Sequence, residues 1–176
     1  MKKSVGLVLM VKMPQEDGSE VLMAVLQRRG RFNTEKMKPE SYPGCCQVTC
    51  HGGLEEGESF DDALIREVEE ELGTDLAKCL RCLPDKVGIE ILIHQTTTEK
   101  EIITYGGMLP IKWISSIRLG PDSGGLDLIS ESEARGATVE IKPEYKADGP
   151  PKSWMVAMFP DEIMAVRKAF EVFGKK

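Results

Sequence analysis

The feature that most constrains this 176-residue chain is the stretch 52–74, GGLEEGESFDDALIREVEEELGT. A glycine-rich turn leads into Ser59, and an acidic run then continues without Pro or Gly as far as Gly73. Ser59 is a good helix N-cap, and Asp62 three residues on puts a carboxylate at the positive end of the helix dipole. Gly73 is a typical helix stop. At about 100° per residue, Leu64, Val68 and Leu72 fall on one stripe with Phe60 and Ile65 at its edges, so that face is expected to be buried. Glu67, Glu70 and Glu71 share the neighbouring face, because spacings of three and four bring side chains together. Glu69 points away toward solvent. Arg66, four residues before Glu70, is placed to pair with it.

Three carboxylates side by side repel one another unless a cation joins them. A hard divalent cation, Mg²⁺ or Mn²⁺, is the natural partner, since Mg²⁺ takes a few carboxylate oxygens and keeps water or phosphate on its other positions. A solvated Glu-rich helix face would account for the helix. It would not account for the glycine turn at a fixed distance ahead of it.

Gly52, five residues, Glu58, seven residues, and then Arg66-Glu67-Val68-Glu69-Glu70-Glu71-Leu72-Gly73 resembles the Nudix box. Seven fixed residues at roughly 7% frequency each would match a given start by chance on the order of 10⁻⁸ of the time. Thr74 stands where that family usually has an aliphatic residue. The resemblance implies one domain over residues 1–176, an α/β/α sandwich with a mixed β-sheet between helices. It also implies a MutT-like hydrolase that cleaves a pyrophosphate bond in a nucleoside di- or triphosphate derivative with the help of Mg²⁺ or Mn²⁺. Carried over residue by residue, it makes Glu67, Glu70 and Glu71 metal ligands and Glu58 an outer ligand or support. The main-chain carbonyl of His51 is a further metal ligand, and Arg66 orients the carboxylates. Glu70 is the expected general base within the box, with Glu99, Glu101, Glu131 and Glu133 as alternatives outside it.

Two other readings stand beside this one. Gln27-Arg28-Arg29, Tyr42-Pro43-Gly44 and Gly57-Glu58-Ser59 look somewhat like isopentenyl-diphosphate isomerase. That family uses a cysteine before the glycine turn, at the position where an ungapped match puts His51 and not Cys50. One residue of slip moves a side chain to the opposite strand face. The second is a non-catalytic nucleotide-binding module, which loss of the carboxylates would have favoured; all three are present.

Ahead of the box, residues 5–12 and 21–27 are near-continuous apolar runs joined across Glu16-Asp17-Gly18-Ser19, a hairpin signal. Strands this apolar imply a sheet covered on both faces. Residues 28–44 form the most basic segment, with Arg28 and Arg29 at a strand end as candidate phosphate contacts. A short strand over residues 45–51 delivers the chain to Gly52 and Gly53, where a bare backbone lets ligand approach closely. Residues 74–84 are ambiguous. Residues 89–94 and 102–109 read as a second hairpin, and 112–117 as another strand. Residues 120–125 read as a loop, and 126–141 as helix followed by strand at 137–141. Residues 143–151 read as a linker or flexible loop. Residues 161–173 read as a second clear helix, with Asp161 and Glu162 in its first turn and Ile163, Val166, Phe170 and Phe173 as its core stripe.

Bulk properties narrow the partners. Hydrophobic content of 41% and charged content of 30% are ordinary for a globular protein, and the net charge of −6 argues against general nucleic-acid binding. The N-terminal apolar run is short and lacks a small-residue cleavage site, so it is expected to be a strand and not a signal peptide. No run approaches the ~18 apolar residues that span a membrane, and the expected location is cytoplasmic. Five cysteines do not suggest a disulfide framework, and Cys79 and Cys82 would need two more ligands to hold zinc. The expected partner is a small nucleotide or diphosphate substrate, with no membrane. A homodimer and the identity of the substrate are left open: no SQPWPFPxS-like segment follows the box. Trp113, Tyr105 and Trp154 are candidates for stacking on a base or for packing.

Overall fold

The computed structural model describes residues 1–34, 36–82 and 88–175, without the side chain of Cys82. Strands β1 (Lys2–Pro14) and β2 (Glu20–Arg29) form the expected hairpin around Gly18, whose φ of 82° is one that glycine adopts freely. Short strands β3 (Phe32–Asn33) and β4 (Lys38–Pro39) follow. Then come β5 (Cys46–Gln47), β6 (Cys50–Gly53), helices α1 (Phe60–Leu72) and α2 (Thr74–Cys82), and the hairpin β7 (Glu90–Thr96) and β8 (Lys100–Met108). The chain ends with β9 (Ser123–Ser130), α3 (Glu131–Gly136), β10 (Thr138–Glu140), α4 (Tyr145–Asp148), β11 (Val156–Met158) and α5 (Pro160–Phe173).

Seven of these strands make one mixed sheet. Its path runs β5-β2-β1-β8-β7, with β6 also on β1 and β9 also on β2. The β1–β8 pair is parallel and the other pairs are antiparallel. Alternate residues of β1 feed opposite cores. Val5, Leu7, Leu9 and Val11 pack with Leu64, Val68 and Leu72 of α1 and Leu76 of α2. Val8 and Met10 pack with Ile163, Val166, Phe170 and Phe173 of α5. This two-sided cover is why β1 reads as an unbroken apolar run.

A fork in the sheet positions the site. β1 pairs with β2 through residues 9–14, but its earlier residues 4–7 pair with β6, while Gln27 and Arg28 of β2 pair with β5. The two long strands therefore diverge, and the segment carrying β5 and β6 lies between them. Thr49 closes the crotch: its hydroxyl accepts from Leu9 N–H at 2.8 Å and donates to the Val25 carbonyl at 2.5 Å. The expected single strand over 45–51 is thus two short strands interrupted at this wedge.

Other departures have local causes. Residues 126–130, expected to be helical, extend β9, because β2 offers a free edge from Met23 to Arg29; the helix is confined to α3, behind a Ser130/Glu133 capping box. The expected strand over residues 112–117 is instead a 3₁₀ turn, Ile111–Ser116, led in by Pro110 and ended by Ile117. The segment 143–151 is no linker, since it holds α4 and buries Tyr145 against Cys45 and Ala157. The ambiguous stretch 74–84 is helical through Cys82, and residues 83 and 84 lie outside the described residues, as does the Cys82 side chain that the zinc reading required.

Candidate active site

Helix α1 starts as its sequence dictates. Ser59 is extended at φ −80°, ψ 161°, and its hydroxyl accepts from Asp62 N–H at 3.1 Å. Gly73, at φ 102°, ends it. The apolar stripe is buried as expected, and Glu67 beside it is only 8% exposed. Its carboxylate lies against the bare backbone of Gly52, where a Cβ would fall on the Glu67 carboxyl group itself. The glycine at this position is therefore a steric requirement of Glu67.

Arg66 ties the acidic groups together. Its guanidinium grips Glu58 with two bonds of 3.0 Å and reaches Glu67 at 2.8 Å and Glu70 at 3.3 Å. It also donates to the Gly53 carbonyl at 2.7 Å. The spacing of four residues signalled the Glu70 pair, but the bidentate Glu58 contact is the stronger geometry. The hydrogen bonds from Arg66 hold the Glu58 carboxyl below its usual range. Burial pushes Glu67 up despite Arg66, and pushes Glu71 up to about 7 although His51 N–H donates to it at 3.3 Å. Glu70, with its side chain 53% exposed, is the outermost of the three.

Cys50 and His51 point to opposite faces of β6. Cys50 faces Glu71 and is buried, which holds its thiol protonated. The half-buried His51 ring is lowered in pKa by burial and feels Asp161, Arg29 and Lys100 instead of the α1 carboxylates. Arg28 is wholly engaged: it pairs with Asp127 at 2.6 Å and donates to the carbonyls of Gly44 and Met155. Arg29 pairs with Glu40 at 3.0 Å, donates to Gln47, and lines the site.

Two clefts meet here. One, of about 980 Å³, runs from the N-terminal residues past Gly52, Gly53 and Lys100 to Phe159, Asp161 and Glu162. The other, of about 660 Å³, runs from Glu67, Glu70 and Glu71 past Arg29 to Gln27, Gln47 and Asp122. Neither is lined by Glu99, Glu101, Glu131 or Glu133, nor by Trp113, Tyr105 or Trp154. Tyr105 is a core residue whose hydroxyl donates to Asp61 at 2.7 Å, and Trp154 is exposed beside Lys152. Phe159, Asp161, Glu162, Gln27 and Gln47 were not among the sequence candidates for the site. Asp161 and Glu162 carried only the signal of a helix start.

Among the described residues, no three His, Cys, Asp or Glu side chains stand together as a ready-made metal cage. The donor set is nonetheless one of hard carboxylate oxygens, two of them raised in pKa by burial. Beside them lies the glycine backbone that a Cβ would block. This chemistry fits a hard divalent cation.

A mixed sheet between helices, with one helix presenting carboxylates to a glycine-floored groove, defines an α/β/α sandwich. A family model described as the NUDIX domain matches residues 4–106, and the chain belongs to the Nudix family, whose members are pyrophosphohydrolases. No curated protein matches the chain. Among solved structures it is similar to a mutT/nudix family protein from Listeria innocua, at TM-score 0.64 and 19% identity over 99% of this chain and 94% of that one. A C. elegans Ap4A hydrolase binary complex gives TM-score 0.55 and 14% identity with all of both chains covered. The NUDIX domain of Shewanella oneidensis NrtR, complexed with ADP ribose, gives 0.54 and 12% over 97% of this chain and 86% of that one. At these identities the likeness is one of fold. No helix among the described residues is long and apolar enough to cross a membrane.

Proposed function

We propose that this chain hydrolyses a pyrophosphate bond in a nucleoside diphosphate derivative, with a divalent cation held by Glu67, Glu70 and Glu71 of α1 and the His51 carbonyl. The observation that carries the reading is the Gly52–Glu67 contact beside the Arg66 clamp. The fold spends a glycine and a multiply bonded arginine to hold carboxylates at the floor of an open groove. The Ap4A hydrolase and the ADP-ribose complex among its structural neighbours support the same substrate chemistry. When bound, the cation would neutralise the diphosphate and ease deprotonation of water. Glu58 supports the cluster through Arg66. Gly52 and Gly53 leave room for the phosphates, and Arg29 faces them from β2. Glu70, the exposed carboxylate, takes the proton as the water oxygen bonds to phosphorus. The bridging P–O bond breaks, and its electron pair leaves with the departing phosphate.

The test is product release from a panel of nucleotide sugars, dinucleotides and nucleoside di- and triphosphates with Mg²⁺ or Mn²⁺, and with EDTA as control. Turnover should need the metal and fall by about 10²-fold or more in Glu70→Gln. Gly52→Ala should lose turnover by displacing Glu67. A folded protein that binds nucleotide but turns over nothing in the panel would make this chain a binding module.

A further inference from the structure

The cleft that runs from the α1 carboxylates to Asp122 has the β3–β4 hairpin in its wall, through Asn33, Thr34 and Lys36. Its cations are not alike. Arg28, Arg29 and Arg66 are paired with Asp127, Glu40 and Glu58, whereas exposed Lys36 has no ion pair among the described residues. A lysine ammonium on a cleft wall is a point charge that an entering phosphate oxygen can meet.

Strands β3 and β4 hold two residues each, too few to fix that lysine by their own ladder. Two outside fastenings do so. On one side Asn33 accepts from the Lys36 N–H at 2.8 Å and donates to Glu40 at 3.0 Å, which Arg29 holds. On the other side Asp122 accepts from both the N–H and the hydroxyl of Thr34, at 2.8 and 2.7 Å, through one carboxylate oxygen. The Asp122 carbonyl also accepts from the Gly30 N–H at 2.8 Å, and a Cβ at residue 30 would fall on that carbonyl. Asp122 thus grips the chain both before the hairpin and within it. Its own loop is docked on the end of α1: Arg118 N–H donates to the Leu72 carbonyl at 2.8 Å, and Gly120 N–H to that of Glu71 at 3.3 Å.

Resting on the hydrolase reading, we infer that Asp122 is a positioning residue, tying the hairpin to the end of α1 and so holding Lys36 where it meets a phosphate seated beside the α1 carboxylates. The opposite expectation is equally definite. A carboxylate acting on the ligand only through its charge would repel a phosphate, and its removal would tighten binding.

The experiment is a double-mutant cycle on Lys36→Gln and Asp122→Ala, with Asp122→Asn as the conservative variant whose side-chain oxygen still accepts both bonds. Kinetics are read in Mg²⁺ on the nucleotide that the wild type turns over best, and hydrogen–deuterium exchange is read at Thr34. Lys36→Gln and Asp122→Ala should each raise KM by about tenfold with kcat within about twofold, and together by little more than either alone. Asp122→Asn should stay within about threefold of the wild type. The Thr34 amide should exchange faster in Asp122→Ala and not in Lys36→Gln. A KM that falls or stays unchanged in either single variant, a loss carried by kcat, effects that multiply to about a hundredfold, an Asn variant as impaired as the Ala one, or unchanged exchange at Thr34 overturns the inference. With no turnover in the wild type the hydrolase reading fails by itself, and the same cycle is read as Kd for inorganic pyrophosphate with Mg²⁺. Non-additive weakening then upholds the role of Asp122, and additive, unchanged or absent binding overturns it.

Discussion

At the residue scale, Glu162 is the most exposed to a direct physical test. Burial raises its pKa to about 7, the next contributions being the Phe159 N–H, which lowers it, and the neighbouring charge of Asp161, which raises it. Arg29, across on β2, pulls the other way. The folded protein therefore binds this proton more tightly than the unfolded chain, whose carboxyl titrates near 4.5. Its contribution to stability is complete below about 4.5, falls at up to about 1.4 kcal/mol per pH unit, and has been lost once pH passes about 7. Urea unfolding of the wild type and Glu162→Gln at a series of pH values should show the wild type losing ground to the variant between pH 4.5 and 7, and a constant gap above. A gap that does not change with pH would contradict the raised pKa. None of this was legible in the sequence, where Asp161 and Glu162 are ordinary first-turn acids. Their role in lining a cleft depends on Gly52, Lys100 and the N-terminal residues arriving beside them from elsewhere in the chain.

At the scale of elements, α1 was the most legible part of the molecule, because its signals are all local. Cap, stop and apolar stripe lie within one stretch, and the burial of Leu64, Val68 and Leu72 follows from spacing alone. Ser59→Ala should cost about 1 kcal/mol, and Leu64→Ala about 2–5 kcal/mol, as read by denaturant midpoints. A Leu64 variant as mild as the cap variant would mean that the helix is held by its ends and not by its face. By contrast, residues 126–130 are too short a run for period to separate strand from helix. What made them a strand is the edge of β2, about a hundred positions earlier in the chain. The same limit applies to the 3₁₀ turn, whose apolar residues also fit a short strand. Arg28 and Arg29 were indistinguishable in sequence. Both line the cleft, but Arg28 is held by Asp127 and the carbonyls of Gly44 and Met155, whereas Arg29 is held by Glu40, Ser41 and Gln47.

For the whole molecule, the covered sheet was readable from its apolar strands, and the family from one motif. The groove was not, since it exists only where the sheet forks. That fork has a further consequence. The glycine rim is held to β1 by the β1–β6 ladder, and where β1 and β2 part a single buried hydroxyl, that of Thr49, bridges the Leu9 N–H and the Val25 carbonyl. Thr49→Val keeps the shape but strands the Leu9 donor and the Val25 acceptor, at about 1–3 kcal/mol for each buried group left unpaired. Hydrogen–deuterium exchange should then register a loss of protection at the Leu9 amide that leaves Val11 untouched, and unchanged protection at Leu9 would show that water or backbone takes over. In the variant the crotch between β1 and β2 opens more readily than the β1–β6 ladder that carries the glycine rim, so the loss of protection stays where the two long strands part.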